Sequence, residues 1–255
     1  MSSHKSNTSV AVVTGAARGI GAALVDAFLQ RDLGVVAVDC DQEALNDLEA
    51  QHETMKDRLR PVMADVASEE DWRRVADVAS TLGHVDVLVN NAAISPKRDG
   101  VKIPGDEMPT EEWERVLAVN LTGSFFGIRE FAPGMKERSR GRIVNVASQA
   151  ARGGTRVAGI HYGATKTALL GLTRSFAYEL AAHHVAVNAI APGRIVTPMA
   201  EAVSPEVNEW MRTQIPVGRL GTPEEVAESV IFLTLDNSGF ITGATLDING
   251  GSFMG

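Results

Sequence analysis

Short apolar runs alternate along the chain with longer segments in which apolar residues recur every three or four positions. The short runs are Val10–Val13, Val35–Val38, Val62–Ala64, Val85–Val89, Ile143–Ala147, Val185–Ala191 and Thr245–Ile248. Continuous stretches rich in β-branched residues suit strands that are buried on both faces. Between them lie segments of helical periodicity, such as Ile20–Gln30 and Asp71–Leu82. This alternation predicts an α/β fold: a doubly wound parallel sheet with right-handed crossovers and helices on both faces. Polar or glycine residues follow most of the runs: Thr14-Gly15, Asp39, Asp65, Asn90-Asn91, Ser148 and Pro192-Gly193. They mark the carboxyl ends of the strands, the edge at which open α/β sheets bind ligands.

Composition narrows the class. A chain of 255 residues with 44% apolar and 22% charged residues has the means to bury a large core, which excludes a disordered chain. That length fits one large domain at least as well as two small ones, and no linker divides it. Cys40 is the single cysteine, so an intrachain disulfide is excluded and a cysteine-based zinc site is not expected. No apolar run approaches the ~18 residues of a membrane helix, so no membrane partner is expected. Residues 1–9 are polar and lack an apolar signal core; they read as a flexible tail ahead of a domain over 10–255, and the protein as cytoplasmic. With 24 basic and 32 acidic residues the net charge is −8, which argues against nucleic acid as a partner. No histidine pair has metal-helix spacing, so no metal is expected, and no G-x-S-x-G elbow suggests a hydrolase.

The segment Thr14-Gly15-Ala16-Ala17-Arg18-Gly19-Ile20-Gly21 joins the first strand to the first helix. Gly15 permits a sharp turn, Gly19 lets backbone approach a diphosphate, and Gly21 lets the helix pack tightly on the sheet. The spacing is G-x-x-x-G-x-G rather than G-x-G-x-x-G, and glycines at a strand–helix turn also serve purely structural ends. Asp39 ends the second strand 18 residues after Gly21. A carboxylate there accepts both hydroxyls of an adenosine ribose and repels a 2′-phosphate, favouring NAD over NADP. Arg18 points the other way, since a basic residue in the turn suits a 2′-phosphate. Asp65 reads either as an acceptor for an adenine amino group or as a helix cap beside Ser68.

Tyr162 and Lys166 lie four residues apart in a helix expected to run to about Ala182, and so share one helical face. A free phenol, with a pKa near ~10, carries protons poorly at neutral pH. A neighbouring ammonium stabilises the phenolate and lowers that value, which makes the phenol a general acid or base toward an alcohol–ketone pair. Lys166 is also suited to hold ribose hydroxyls. Tyr178 has Ala182 at the matching place and lacks this pairing. Ser148 ends the fifth strand 14 residues before Tyr162, and Asn120 lies in a helical segment. His161 reads as a polar residue at a helix start.

Taken in order, the glycine turn, Asn90-Asn91-Ala92-Ala93, Asn120, Ser148, Tyr162-Gly163-Ala164-Thr165-Lys166 and Pro192-Gly193-Arg194-Ile195-Val196-Thr197 resemble the compact single-domain branch of the short-chain dehydrogenase/reductase superfamily, over roughly Val10 to Gly251. The resemblance implies a Rossmann-type fold with seven strands and a single catalytic domain that binds a dinucleotide. It implies that Tyr162 exchanges a proton with the substrate oxygen, Lys166 tunes Tyr162, Ser148 hydrogen-bonds the carbonyl, and Asn120 holds a water that relays protons toward Lys166. Asn91, Ala92 and Ala93 are expected to line the cofactor, as are Gly15, Arg18, Gly19, Ile20, Gly21, Asp39, Cys40, Asp65 and Val66. Pro192, Gly193, Ile195 and Thr197 are expected to close on the nicotinamide.

The implied activity is hydride transfer between NAD(H) and a secondary alcohol or ketone, a small molecule, in a homotetramer. The alternatives are an NADP(H)-dependent reductase of 3-oxoacyl thioesters, and a dinucleotide-sensing protein without catalysis. Two departures from the family pattern bear on the pocket: Ala93 replaces the usual glycine, and one extra residue lies between Ser148 and Tyr162. Lys97, Arg98, Lys102, Arg152, Arg156 and Arg194 would form a basic rim suited to a substrate carboxylate or phosphate, unless they belong to solvated loops. Met199 to Pro216 reads as short helices, a lid that orders on binding.

Overall fold

Side chains of the first apolar run divide between two faces. Ala11 and Val13 join one buried cluster and Val10 and Val12 the other, all of them fully buried. A strand with both faces covered needs an unbroken apolar run, and that is why the run is continuous. In this computed structural model, residues 8–98, 100–154, 157–201 and 203–255 are described.

The elements are β1 (Ser9–Thr14), α1 (Gly19–Leu29), β2 (Gly34–Asp39), α2 (Gln42–Gln51), β3 (Leu59–Met63), α3 (Glu69–Leu82), β4 (His84–Asn90), α4 (Thr110–Leu117), α5 (Gly123–Glu137), β5 (Gly141–Val146), α6 (Ile160–Leu180), β6 (Val185–Pro192), α7 (Pro198–Glu201), α8 (Pro205–Thr213), α9 (Pro223–Thr234) and β7 (Thr245–Ile248). The seven strands pair in the order β3-β2-β1-β4-β5-β6-β7, all parallel. The expected doubly wound, seven-stranded sheet is therefore the fold.

Leu24 and Phe28 of α1 and Val226 and Val230 of α9 cover one face. Trp72 and Val75 of α3, Ile128, Phe131 and Met135 of α5, and Ala177 and Leu180 of α6 cover the other. Each large apolar side chain buried in this way contributes about 1.5–3 kcal/mol.

Boundaries move where the periodic signal is thin. The strand expected at Val62–Ala64 is Leu59–Met63. It forms the sheet edge, with Arg60 and Pro61 half-buried, so few apolar residues announce it; a proline is tolerated there because an edge strand pairs on one side only. α3 starts at Glu69, two residues before the expected Asp71, because the Ser68 hydroxyl accepts the Asp71 N–H and caps the helix. α6 starts at Ile160, which sets Tyr162 inside its first turn. Of the expected tail, residues 1–7 lie outside the described residues. Ser9 already belongs to β1, and its hydroxyl donates to Asp86 Oδ2 at 2.8 Å.

Candidate active site

The sheet winds outward in opposite directions from β1 and β4, so a crevice opens between their carboxyl ends. Short side chains define its floor. Thr14 Oγ1 accepts the N–H groups of Asn91 and Ala92, each at 3.0 Å. Asn91 Nδ2 donates to the Thr14 and Gly15 carbonyls at 2.9 and 3.0 Å. Gly15 has φ +61°, and a Cβ there would lie 2.9 Å from Ala92 Cα, so only glycine fits this turn. A Cβ on Gly21 would meet the Gly15 carbonyl oxygen at 1.9 Å, which is the tight helix–turn packing expected of that position.

α1 then begins without a side-chain cap and without an acidic residue in its first turn. α3, by contrast, has its Ser68 cap and three acidic residues in the same places. The amide groups of the first turn of α1 thus stay available to an anion where Gly19 and Ile20 line the cleft.

The cleft is one cavity of about 800 Å³. Asp39, Cys40, Asp65 and Val66 line one end; Gly15, Arg18, Asn91, Ala92 and Ala93 follow; Ser148, Tyr162, Lys166, Pro192, Gly193, Ile195 and Thr197 line the middle; and Met199, Met211 and Gln214 wall the far end. Of the residues expected to be catalytic or to line the cofactor, Gly21 and Asn120 stand behind this lining and the rest form part of it. The uncapped helix, the glycine turn and the Asp39 carboxylate suit a dinucleotide in both size and charge.

At the first end both Asp39 oxygens accept backbone N–H groups, from Ala17 at 3.0 Å and Asp41 at 3.1 Å, which ties the glycine turn to the end of β2. Arg18, the residue that favoured a 2′-phosphate, pairs with Asp41 at 2.7 Å. The Ala44 N–H, and then Arg18, hold the Asp41 carboxyl below its usual range. Of the two readings of Asp65, the cap falls to Ser68. Asp65 instead accepts the Ala67 N–H at 3.0 Å and pairs with Arg115 at 2.8 Å. Although burial pushes the Asp65 carboxyl up, these contacts hold it below its usual range.

In the middle, the Ser148 side chain stands near enough to the Tyr162 phenol to lower its pKa. Lys166 Nζ lies 5.6 Å from the Tyr162 ring centre and donates to the Val146 carbonyl at 2.6 Å. Lys166 is buried, and burial pushes its ammonium down to about 7. Burial raises the Tyr162 phenol by more than the Ser148 side chain lowers it. The expectation that Lys166 acidifies Tyr162 is therefore corrected for the protein by itself. Desolvation dominates at both groups and favours the neutral phenol together with the neutral amine.

His161 sits at the start of α6, as expected. It is fully buried; its Nδ1 accepts the Tyr162 N–H at 2.7 Å, and its Nε2 contacts Glu112 Oε1 of α4 at 2.9 Å. Because Nδ1 accepts, Nε2 carries the proton and donates it to Glu112. α6 has no side-chain cap at Gly159, so the imidazole satisfies one of the free amides of its first turn, that of Tyr162.

Asn120 lies in a π-turn, Ala118–Thr122, between α4 and α5. Its Oδ1 accepts the Ile94 N–H at 2.8 Å, and its Nδ2 faces the Ile94 carbonyl at 3.0 Å and Thr165 Oγ1 at 3.3 Å. The amide is thereby committed to clamping the loop after β4 onto α6.

The expected basic rim separates into different groups. Arg152 forms a two-pronged pair with Asp247 at 3.1 and 2.9 Å and lies over the Phe253 ring. Arg194 donates to Asn208 Oδ1 and to the Ala200 carbonyl, each at 2.9 Å, knitting α7 to α8. Lys97 and Arg194 line the cavity, Arg98 is exposed, and Arg156 lies outside the described residues. The short helices expected between Met199 and Pro216 are α7 and α8.

Three working groups escape the sequence reading. Thr14 is indistinguishable there from a strand-end residue. Glu112 is one acid among several on an amphipathic helix. The third is a buried chain in which Asn90 Nδ2 donates to Asn145 Oδ1 and Asn145 Nδ2 to Thr173 Oγ1, each at 2.9 Å, joining β4, β5 and α6. Asparagine within the apolar part of β5 and at the end of β4 was the available signal. Among the described residues no helix is long and apolar enough to cross a membrane.

A family model described as enoyl-(acyl carrier protein) reductase matches residues 15–252. An acetoacetyl-CoA reductase of Rhizobium meliloti is 43% identical over 247 residues, 96% of this chain and 98% of that protein. A 3-oxoacyl-(acyl-carrier-protein) reductase of Thermotoga maritima is 37% identical over 250 residues, 95% and 96% of the two chains. A crystal structure of a 3-oxoacyl-(acyl-carrier protein) reductase with bound NAD from Brucella melitensis matches with TM-score 0.90 and 41% identity, covering 99% of this chain and 93% of that one.

Proposed function

The chain belongs to the short-chain dehydrogenase/reductase superfamily, and we propose that within it the protein is an NADH-dependent reductase of 3-oxo carbonyl compounds, working reversibly on the matching secondary alcohols. The carrying observation is the grouping of Ser148, Tyr162 and Lys166 on one cavity that continues to the uncapped start of α1 and to Asp39. Relatives named as reductases of 3-oxoacyl and acetoacetyl thioesters support the 3-oxo class.

When bound, the nicotinamide dinucleotide supplies or accepts the hydride. In reduction the Ser148 hydroxyl orients the carbonyl oxygen, and the Tyr162 hydroxyl gives that oxygen its proton as the carbon becomes an alcohol carbon. The raised pKa of Tyr162 suits a proton donor; oxidation needs the phenolate, which a protonated Lys166 stabilises. Lys166, Asn91, Pro192, Gly193, Ile195 and Thr197 would hold the nicotinamide half, and Gly15, Gly19, Ile20, Asp39, Cys40, Asp65 and Val66 the adenosine diphosphate half.

Asp39 supports NAD(H): a 2′-phosphate beside it would also meet Asp41, and Arg18 is already paired to Asp41. The NADPH reading keeps one observation, the exposed guanidinium of Arg18, which a 2′-phosphate could draw from Asp41. Dissociation constants for NADH and NADPH on the purified protein separate the two. A homotetramer belongs to this reading as well and is tested by sedimentation.

The test of the activity follows NADH absorbance with ethyl 3-oxobutanoate. Tyr162→Phe should lower turnover roughly 10²- to 10⁴-fold, the range for a lost acid–base group, while NADH affinity is retained. Near-normal turnover in that variant removes the catalytic assignment.

A further inference from the structure

Resting on that reading, and naming a property of the substrate that it leaves open, we propose that Lys97 and Arg194 form an anion subsite at the lid end of the cleft, selecting ketones that carry a carboxylate or a phosphate. Lys97 comes from the loop after β4 and Arg194 from the loop after β6, so two separate crossovers bring their charges to one cavity wall. Among the described residues neither side chain has a carboxylate partner. Arg194 is held by neutral acceptors only, the Asn208 amide and the Ala200 carbonyl. The acids that do line the cavity, Asp39 and Asp65, belong to its opposite end.

Arg152 gives the contrast. It lines no part of the cavity, and Asp247 neutralises it in a bidentate pair. Of the basic side chains that line the cavity, Arg18 and Arg115 are likewise paired, with Asp41 and Asp65, Lys166 is turned to the Val146 carbonyl beside Tyr162, and Lys97 and Arg194 are left without a carboxylate among the described residues. Burial, and then the neighbouring Arg194 charge, hold the Lys97 ammonium below its usual range, and burial does the same to Arg194. Two like charges kept together in a partly desolvated wall disfavour each other. An anion between them removes the repulsion, and a guanidinium with an ammonium provides several donors for its oxygens. A carboxylate of a free oxo acid and a phosphate of a thioester carrier share this chemistry.

The test compares wild type, Lys97→Met and Lys97→Arg. Specificity is read as kcat/KM for 3-oxobutanoate and for acetoacetyl-CoA, each divided by the value for neutral ethyl 3-oxobutanoate. At least one ratio should fall about ten- to hundredfold in Lys97→Met, as expected for loss of a charged hydrogen-bond partner, and recover in Lys97→Arg. A fall for the free acid identifies a substrate carboxylate, and a fall confined to the thioester identifies the carrier phosphate. Calorimetric binding of malonate and of inorganic phosphate to the NAD-saturated protein gives a readout that needs no turnover. One of the two anions should bind wild type and bind Lys97→Met about tenfold more weakly. Unchanged ratios, or anion binding that is absent or insensitive to Lys97, overturn the subsite. Failure of wild type to reduce any of the three ketones overturns the proposed reaction instead and leaves the calorimetric result to decide the subsite.

Discussion

At the glycine-turn end of the cleft, short side chains bond to backbone: Thr14 and Asn91 bridge β1 to the loop after β4, and Asp39 bridges β2 to the turn. Toward the end walled by Met199, Met211 and Gln214, longer side chains bond across loops: Arg194 to Asn208, Gln149 Nε2 to the Ser252 carbonyl and, beside the cleft, Arg152 to Asp247. A short side chain with few rotamers loses little entropy when it locks onto a neighbouring strand end, whereas a long one loses more and is held by contacts that can be exchanged. The floor of the first end is therefore held by backbone and short side chains. The second is a wall that can differ in shape and charge from one substrate to the next.

The comparison is broken most severely at Asp39. Asp39→Ala removes a ribose acceptor and frees two backbone N–H groups at once. NADH affinity should fall about ten- to hundredfold, and the preference over NADPH should shrink, in fluorescence titrations. Turnover at saturating NADH should change far less, because the reacting end is untouched.

His161→Phe attacks the junction of the two ends. It removes the acceptor of the Tyr162 N–H and strands Glu112 without its donor. We expect kcat to fall about tenfold, the cost of an unmet buried group, with NADH affinity little changed; His161→Gln should recover part of the loss. Equal losses in kcat and NADH affinity would indicate general collapse of α6 rather than misplacement of Tyr162.

Lys166→Met probes desolvation in the dinucleotide-free protein. Below about pH 7 the ammonium is charged in the folded and unfolded states alike, so its burial penalty is fully felt. Between about 7 and the ordinary lysine value of 10.5 the unfolded chain binds more protons, so wild-type stability rises with pH. The variant lacks that term. Its stability relative to wild type, from urea midpoints, should be most favourable near pH 6 and decline toward pH 10. A difference independent of pH would contradict the depressed amine.

The smallest effect belongs to Arg152→Gln. Since Asp247 already occupies this guanidinium, the KM for a ketone should stay within about twofold and stability should fall by no more than about 1 kcal/mol.

The fold was largely legible because both-face burial writes itself as apolar runs, and five of the seven strands, all inside the sheet, carry one. β3 was blurred by its place at the edge, where Arg60 and Pro61 need no burial. In the candidate site, the residues with distinctive chemistry at strand ends could be read directly, among them Gly15, Asp39, Asn91, Ser148 and the Tyr162–Lys166 pair. Glu112 could not, because its partner His161 lies 49 residues away and no local pattern links an α4 acid to the start of α6. Nor could the division of the arginines: Arg152 and Arg194 look alike in sequence, and only Asp247, 95 residues beyond Arg152, separates their roles.

Burial period and residue chemistry are local properties, so the order of amino acids by itself determined the strands, the helices and the kind of reaction. Net charge at a point in the cleft and the protonation of Tyr162 and Lys166 are sums over neighbours distant in the chain. The tertiary structure alone decided those, because desolvation and Coulomb energy depend on what surrounds a group in space.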